Sequence, residues 1–223
     1  MDDSMFHEDA GFFPPVDTDE RLHIGVLISG SGTNLQALID ACADGTIDAV
    51  VAVVISNKPD AFGLERARRA GIATVYVDRT AYTTIAAYNH ALTAALMQHG
   101  VGLVVMAGYM RLLGQEVLTA FPGAVMNLHP ALLPSFAGAS AIKDAFEHGV
   151  KITGVTVHFA DEVFDRGPII AQEPIRVAED ETVATLEAKI HEVEHRLVVD
   201  AVRLFAEGRL AIEGRKVRIK AAE

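Results

Sequence analysis

The chain has 223 residues, half of them apolar, and its 30 acidic and 19 basic residues give a formal net charge of −11. A chain of this size can bury one sizeable core, so a single main domain is expected. The acidic balance argues against a nucleic-acid partner, because neutralising phosphates needs a basic face.

The first 20 residues carry seven acidic side chains and no lysine or arginine. Because this stretch lacks a periodic apolar pattern, residues 1–21 are predicted to be a disordered acidic leader and residues 22–223 the folded domain. The alternative is a docking role for Phe12 and Phe13. No secretory signal pattern begins the chain, and no apolar run approaches the roughly 18 residues of a membrane helix. A soluble, cytoplasmic protein without membrane partners is expected.

From residue 23 onward, short apolar runs alternate with amphipathic stretches, which predicts βαβ units around a parallel sheet. Strands are predicted at residues 24–29, 49–55, 74–77, 103–106 and 124–127. Helices are predicted at residues 34–43, 63–70, 82–98 and 115–120. With right-handed crossovers this is a Rossmann-like α/β fold, with helices on both faces and ligands at the carboxyl ends of the strands.

The second half of the chain has a different pattern. Residues 154–159 alternate in polarity and residues 168–177 follow after a turn, which predicts an antiparallel extension of the sheet. Residues 182–206 place apolar side chains such as Leu186, Ile190 and Leu197 on one face, which predicts a long amphipathic helix. No repeat or low-complexity linker marks a further domain boundary.

A glycine-rich turn, Gly30-Ser31-Gly32-Thr33-Asn34, joins the first predicted strand to the first helix. Glycines let the backbone turn tightly and present its N–H groups, and a helix N-terminus attracts negative charge, so the turn suits a phosphate. It is not a dinucleotide fingerprint, because Leu35 stands where the third glycine would fall, and it lacks the Gly-Lys-Ser/Thr of a P-loop. An ordinary strand-to-helix turn is the alternative.

Asn127 and His129 lie on the same side of a predicted strand, at its carboxyl end. An amide donor beside an imidazole suits acyl transfer, in which the amide stabilises an oxyanion and the imidazole moves protons. Asp165, in an acidic loop, would orient the imidazole and raise its pKa. The alternatives are a structural histidine and a solvated acidic turn.

The remaining histidines and the single cysteine suggest no further chemistry. His191 and His195, with Glu194 between them, have the helical spacing of a metal pair, but no H-E-x-x-H run or third ligand accompanies them. No metal is therefore expected. His158 is predicted to be a buried hydrogen bonder within a strand. Cys42 cannot form an internal disulfide and is interpreted as a small buried apolar residue.

Five segments in order resemble the phosphoribosylglycinamide formyltransferase family. They are residues 28–36, 56–63, 107–111, 127–134 and 165–170. The resemblance runs from about residue 23 to residue 214 and implies the formyltransferase fold. It also implies transfer of a formyl group from 10-formyltetrahydrofolate to the amine of glycinamide ribonucleotide, in de novo purine synthesis. These small molecules would be the partners of a monomer or homodimer.

The resemblance also assigns roles to individual residues. The catalytic residues would be Asn127, His129 and Asp165. The ribonucleotide would be held by Gly32, Thr33, Asn34 and Glu194. The folate would lie in an apolar cleft lined by Met110, Arg111, Leu113, Asp161 and Glu162, the last two from the loop that caps it. The amine would attack the formyl carbon directly, through a tetrahedral intermediate.

Related activities are less consistent with this sequence. Methionyl-tRNA formyltransferase would need a nucleic-acid domain after Arg215, and formyltetrahydrofolate deformylase would need an N-terminal regulatory domain. One departure stands out, because Ser140 occupies the position of a family histidine that lies beside the catalytic aspartate. A nucleotide-binding module without catalysis is the rival hypothesis, and the retained Asn127, His129 and Asp165 argue against it.

Overall fold

A computed structural model describes residues 21–221. The strands are β1 (Leu22–Ile28), β2 (Ala49–Ser56), β3 (Ala73–Tyr76), β4 (Leu103–Met106), β5 (Val125–His129), β6 (Ile152–Phe159), β7 (Ile169–Arg176), β8 (Leu210–Glu213) and β9 (Lys216–Ile219). The helices are α1 (Thr33–Ala43), α2 (Phe62–Arg69), α3 (Ile85–Gln98), α4 (Gln115–Ala120), α5 (Ala141–His148) and α6 (Val183–Ala206). The predicted leader, apart from Arg21, lies outside the described residues.

All nine described strands form one sheet in the order β3-β2-β1-β4-β5-β6-β7-β9-β8. The strands from β3 to β5 are parallel, and β6 and β7 add to them in antiparallel orientation. The predicted α/β class, with a parallel sheet and an antiparallel extension, is therefore confirmed. This order places the carboxyl ends of β1, β4 and β5 side by side at one edge of the sheet.

The core has two halves, one on each face of the sheet. Ile24, Val26 and Ile28 of β1 pack on the face covered by α1 and α6, as the alternation of a strand requires. Leu27 points to the opposite face, where Leu92 belongs to the same buried cluster. The prediction of helices on both faces is confirmed, and both helical layers support the sheet edge at which β1, β4 and β5 end.

Two predicted helices begin behind a capping threonine, α3 later than expected and α6 within one residue of the prediction. Helix α3 begins at Ile85 because the Thr84 hydroxyl accepts a hydrogen bond from the Ala87 N–H at 3.0 Å. The preceding residues Arg79–Ala81 form a short 3₁₀ turn. Helix α6 begins at Val183, behind Thr182 in a capping box.

Three described elements were not predicted: α5 and the hairpin of β8 and β9. Helix α5 has only eight residues, buries only Ala141 and Ala145, and is capped at its C-terminus by Gly149, whose φ is 76°. The hairpin turns at Gly214, whose φ is 60°, and most of its side chains are exposed or half-buried. Short, weakly apolar elements such as these leave little periodic signal in a sequence.

The structure also bears on two expectations from the sequence, one about membrane-spanning helices and one about Cys42. Within residues 21–221, no helix has the length and apolar character that crossing a membrane requires. Cys42 is half-buried on α1, and burial raises the pKa of its thiol to about 11. The thiol therefore stays protonated at neutral pH.

Candidate active site

The carboxylate of Asp165 is the centre of a buried polar cluster at the carboxyl end of β5. Its Oδ2 accepts a hydrogen bond from the Gly138 N–H at 2.9 Å and lies 3.4 Å from His129 Nδ1. Its Oδ1 accepts from Asn127 Nδ2 at 3.3 Å and lies 3.7 Å from His158 Nε2. The structure thus brings the three predicted catalytic residues together and adds His158 to them.

Two residues that contact the ring nitrogens of His129 have a left-handed backbone conformation. Phe136 and Asp165 are the non-glycine residues with positive φ among residues 21–221, at 52° and 56°. The Phe136 carbonyl accepts a hydrogen bond from His129 Nε2 at 2.8 Å, and Asp165 faces the other ring nitrogen. Left-handed backbone costs a non-glycine residue about 1–2 kcal/mol, and such residues concentrate at functional sites.

The contacts of His129 determine where its neutral ring carries the proton. A backbone carbonyl only accepts, so Nε2 carries the hydrogen that bonds Phe136, and the Nδ1 lone pair faces the Asp165 carboxylate. Burial lowers the pKa of His129, and Asp165 and the Phe136 carbonyl oppose this effect only in part. We expected the carboxylate to raise this pKa. It acts in that direction, but burial is the larger effect.

Asp165 is ionised at neutral pH despite being buried. Burial alone would raise the pKa of its carboxyl. The neighbouring His158, the hydrogen bond from the Gly138 N–H and the electrostatic effect of His129 together outweigh burial and lower the pKa of Asp165. Proton uptake at His129 Nδ1 would therefore create an ion pair with a carboxylate that is already charged.

His158 fixes the orientation of the Asn127 amide. The two residues are directly opposite in the β5–β6 pairing, and His158 Nδ1 donates to the Phe159 carbonyl at 2.8 Å. In the neutral ring, His158 Nε2 is then an acceptor, and Asn127 Nδ2 lies 3.1 Å from it. The prediction of a buried hydrogen bonder is confirmed. Its partner was not predicted, because the register of β5 on β6 cannot be derived from the local pattern.

A cleft of about 450 Å³ opens beside this cluster, and the glycine-rich turn forms one of its walls. Gly32 has a left-handed φ of 69° and caps α1, while Thr33 begins the helix. Asn34 Nδ2 donates to Glu194 Oε2 at 3.1 Å, which joins the turn to α6. All four predicted ribonucleotide residues therefore line one cleft.

Glu194 and Asn34 present buried acceptor atoms to this cleft. Asn34 Oδ1 is buried and has no hydrogen-bond partner among the described residues. Burial raises the pKa of Glu194, and the hydrogen bond from Asn34 opposes this shift in part. Buried acceptors are satisfied by ligand donors such as hydroxyl groups.

Two further side chains of the cleft, Lys143 and His191, were not predicted as site residues. Lys143 belongs to the unpredicted helix α5. His191 lies one turn before Glu194 on α6, with its Nε2 3.9 Å from Glu194 Oε2, so its helical spacing was the available signal. Within residues 21–221, no group of three or more His, Cys, Asp or Glu side chains is arranged to hold a metal ion.

The predicted folate residues are distributed over several surfaces. Leu113 and Asp161 line a cavity of about 20 Å³ together with Asn127, His158 and Asp165. Met110 instead lines the large cleft and is 64% exposed. Glu162 lines an open groove with Asp161, and Arg111 is exposed outside all three of these surfaces.

Comparison with known proteins identifies the family of this chain. The formyl transferase family model matches residues 22–202. The chain belongs to the formyl transferase family. Its sequence is 41% identical over 171 residues to phosphoribosylglycinamide formyltransferase of Bacillus subtilis, an alignment that covers 77% of this chain and 88% of that protein. The Escherichia coli protein of the same name is 40% identical, with 85% of this chain and 89% of that protein covered.

Solved structures and longer relatives agree with this assignment. The crystal structure of glycinamide ribonucleotide transformylase 1 from Symbiobacterium toebii matches this formyl transferase with a TM-score of 0.89 at 54% identity, and the match covers 90% of this chain and 95% of that one. The human trifunctional purine biosynthetic protein adenosine-3 is 40% identical over 85% of this chain. The chain spans 14 to 19% of the length of such trifunctional relatives.

Proposed function

We propose that this formyl transferase moves the formyl group of 10-formyltetrahydrofolate to the amine of glycinamide ribonucleotide, a step of purine biosynthesis in the cytoplasm. The name of its bacterial relatives, phosphoribosylglycinamide formyltransferase, supports the ribonucleotide as the formyl acceptor. The observation that carries the proposal is the ionised Asp165 between Asn127 and His129, next to a cleft lined by the glycine-rich turn of residues 30–34.

The large cleft is proposed to bind the ribonucleotide. Its volume of about 450 Å³ is within the range of small-molecule sites. The phosphate would bind to the N–H groups of Gly32, Thr33 and Asn34, where the left-handed turn and the start of α1 favour an anion. The buried oxygens of Glu194 and Asn34 would accept hydrogen bonds from the ribose hydroxyls.

The folate is proposed to bind on the other side of the catalytic cluster, against Leu113 and the loop that carries Asp161 and Glu162. The cavity there is about 20 Å³, too small for a fused ring system, so this loop has to move outward to admit the folate. Val163 and Phe164 at the tip of the loop are 50% and 40% exposed, so its movement breaks few apolar contacts. Met110, in the wall of the large cleft, and Arg111, exposed next to it in the chain, would also contact the folate.

The chemistry is proposed to run through one tetrahedral intermediate. The ribonucleotide amine forms a C–N bond to the formyl carbon, the C–N bond to folate N10 breaks, the amine loses one proton and N10 gains one. His129 Nδ1 accepts the proton and passes it to N10, while the Asp165 carboxylate stabilises the imidazolium in between. The formyl oxygen would accept a hydrogen bond from one of the two Asn127 Nδ2–H groups. That group would give up its 3.3 Å hydrogen bond to Asp165, which is longer than the 3.1 Å contact with His158.

The proposal is tested by mixing the purified chain with glycinamide ribonucleotide and 10-formyltetrahydrofolate and following tetrahydrofolate release and formylated product. We expect a one-to-one yield of the two products. His129→Ala should lower kcat by roughly 100-fold or more, because positioned proton transfer typically contributes this much.

Two controls define the substrate. Glycinamide riboside, which lacks the phosphate, should react with a much higher KM, since the glycine-rich turn of residues 30–34 then has no phosphate to bind. Folate release without formylated ribonucleotide would indicate a deformylase, and binding without turnover would indicate a nucleotide-binding module. Either result would overturn the proposed function.

A further inference from the structure

Helix α2 packs directly against the anion turn, defined as residues 30–34. The Gly63 N–H donates to the Gly30 carbonyl at 3.0 Å. The two backbones are so close that a Cβ on Gly32 would lie 2.6 Å from Gly63 Cα. Further along α2, Arg66 Nε donates to the Ser31 carbonyl at 2.9 Å. Two successive carbonyls of the turn are therefore held on the α2 side.

This arrangement determines where the N–H groups of the turn point. In a planar trans peptide the C=O and the following N–H point in opposite directions. With the Gly30 and Ser31 carbonyls on α2, the N–H groups of Ser31 and Gly32 point away from α2. Both residues line the cleft, and among residues 21–221 neither N–H donates to a protein acceptor. Such adjacent unpaired N–H groups form an anion site.

The two carbonyls are held by different kinds of donor. The donor to Gly30 is a backbone N–H, which no side-chain substitution removes, whereas the donor to Ser31 is the side chain of Arg66. Because Gly32 follows Ser31 and glycine has wide backbone freedom, the Ser31–Gly32 peptide can rotate once its carbonyl is released. The direction of the Gly32 N–H then depends on Arg66.

We propose that Arg66 is a positioning residue for phosphate recognition. It is not among the residues that line the cleft, so it acts through the Ser31 carbonyl and not by touching the ligand. The inference rests on the proposed function, in which the bound anion is the phosphate of the ribonucleotide. The other contacts of Arg66 are a 3.3 Å hydrogen bond to Gln36 Oε1 and a 5.0 Å approach to the Phe62 ring, and they hold its guanidinium in place.

Arg69 provides a matched control on the same helix. Its guanidinium lies 5.8 Å from the same Phe62 ring, and it carries the same charge. Its Nε bonds Glu65 at 2.9 Å and not the turn. Arg69→Ala therefore removes one positive charge and one contact with Phe62, as Arg66→Ala does, but leaves the Ser31 carbonyl with its donor.

The experiment compares Arg66→Ala, Arg66→Lys and Arg69→Ala with the parent chain. Titration with inorganic phosphate gives the dissociation constant, and initial rates give KM for the ribonucleotide and kcat. We expect Arg66→Ala to weaken phosphate binding and raise this KM by roughly tenfold, the equivalent of one hydrogen bond from a charged donor. The kcat of Arg66→Ala should stay within about twofold of the parent value. For Arg69→Ala, the phosphate dissociation constant, KM and kcat should all stay within about twofold of the parent values. Arg66→Lys should remain impaired, because lysine keeps the charge but has no Nε–H.

Three results would overturn this role. Equal weakening by Arg66→Ala and Arg69→Ala, or full recovery in Arg66→Lys, would assign the effect to charge alone. A fall in kcat at unchanged KM would place Arg66 in the chemistry. If the parent chain formylates no ribonucleotide but phosphate affinity still separates Arg66→Ala from Arg69→Ala, the proposed function fails and the role of Arg66 is supported.

Discussion

Replacing Asp165 by asparagine tests the proposed chemistry most directly. The substitution keeps the size of the side chain and leaves an oxygen that can accept the Gly138 N–H, now bonded at 2.9 Å. It removes the negative charge 3.4 Å from His129 Nδ1, so a proton taken up there is no longer stabilised. Because proton transfer of this kind contributes roughly 10²- to 10⁴-fold, we expect kcat to fall by at least about 100-fold.

The binding constants should separate this effect from general damage. The anion turn lies outside the Asp165 cluster, so KM for the ribonucleotide should change by less than about threefold. Initial-rate kinetics with each substrate varied in turn measure both quantities. Asp144→Asn, at an exposed position of α5, makes the same charge change outside the cluster and should leave kcat unaltered. A kcat for Asp165→Asn within about fivefold of the parent would refute the role given to this carboxylate.

The same substitution has a predicted pH signature in stability. The folded state lowers the pKa of Asp165 below its unfolded value of about 3.9, so its charge stabilises the fold above that pH and this contribution is lost as the pH falls through the folded value. The melting temperature of Asp165→Asn should therefore be below that of the parent at pH 7, and the difference should narrow below about pH 3.9. A difference that widens with acid would show that the pKa of Asp165 is raised instead.

Three further predictions concern neighbouring positions. Gly32→Ala should raise KM for the ribonucleotide more than KM for the folate, since its Cβ would lie close to Gly63. Gly45→Ala is the control, because Gly45 has a comparable φ of 81° but an added Cβ meets no atom within 4 Å. An equal rise in KM for Gly45→Ala would contradict this reason. Ser140→His should raise kcat/KM by no more than roughly 30-fold, because the Gly138 N–H already satisfies Asp165; a parent chain without measurable turnover would contradict this prediction. His158→Leu should lower kcat by roughly tenfold because the Asn127 amide loses its fixed orientation, and an unchanged rate at full thermal stability would remove His158 from the site.

The parts of this molecule that a sequence reveals are those governed by local periodicity. Alternating apolar runs predicted β1 to β5, and the two-residue repeat of a strand placed Asn127 and His129 on one side. The approach of Asp165 to them depends on long-range pairing, because β6 must lie beside β5 in the register that sets Asn127 opposite His158. No local pattern encodes that register.

The sign of the pKa shift at His129 shows the same limit. The proximity of a carboxylate favours a raised pKa, and this was the expectation from sequence. Burial of the ring acts in the opposite direction and is the larger effect. Burial depends on how Phe136 and the residues before α5 fold over the ring, and α5 was not predicted. Electrostatic expectations from sequence therefore fail where the unpredicted elements pack.

One buried hydroxyl explains how a single edge of the sheet can hold two substrates in a fixed relation. Ser29, at the end of β1, donates to Asn57 Oδ1 at 2.7 Å and accepts from the Met110 N–H at 3.0 Å. Its own N–H donates to the Gly108 carbonyl at 3.1 Å. The anion turn and the loop that carries Met110 are thus bound to one residue, and we expect their spacing to change little when a ligand binds. Bringing two reactants into one fixed geometry removes much of the entropic cost of their encounter, so we expect this frame to contribute to the proposed transfer without touching either substrate.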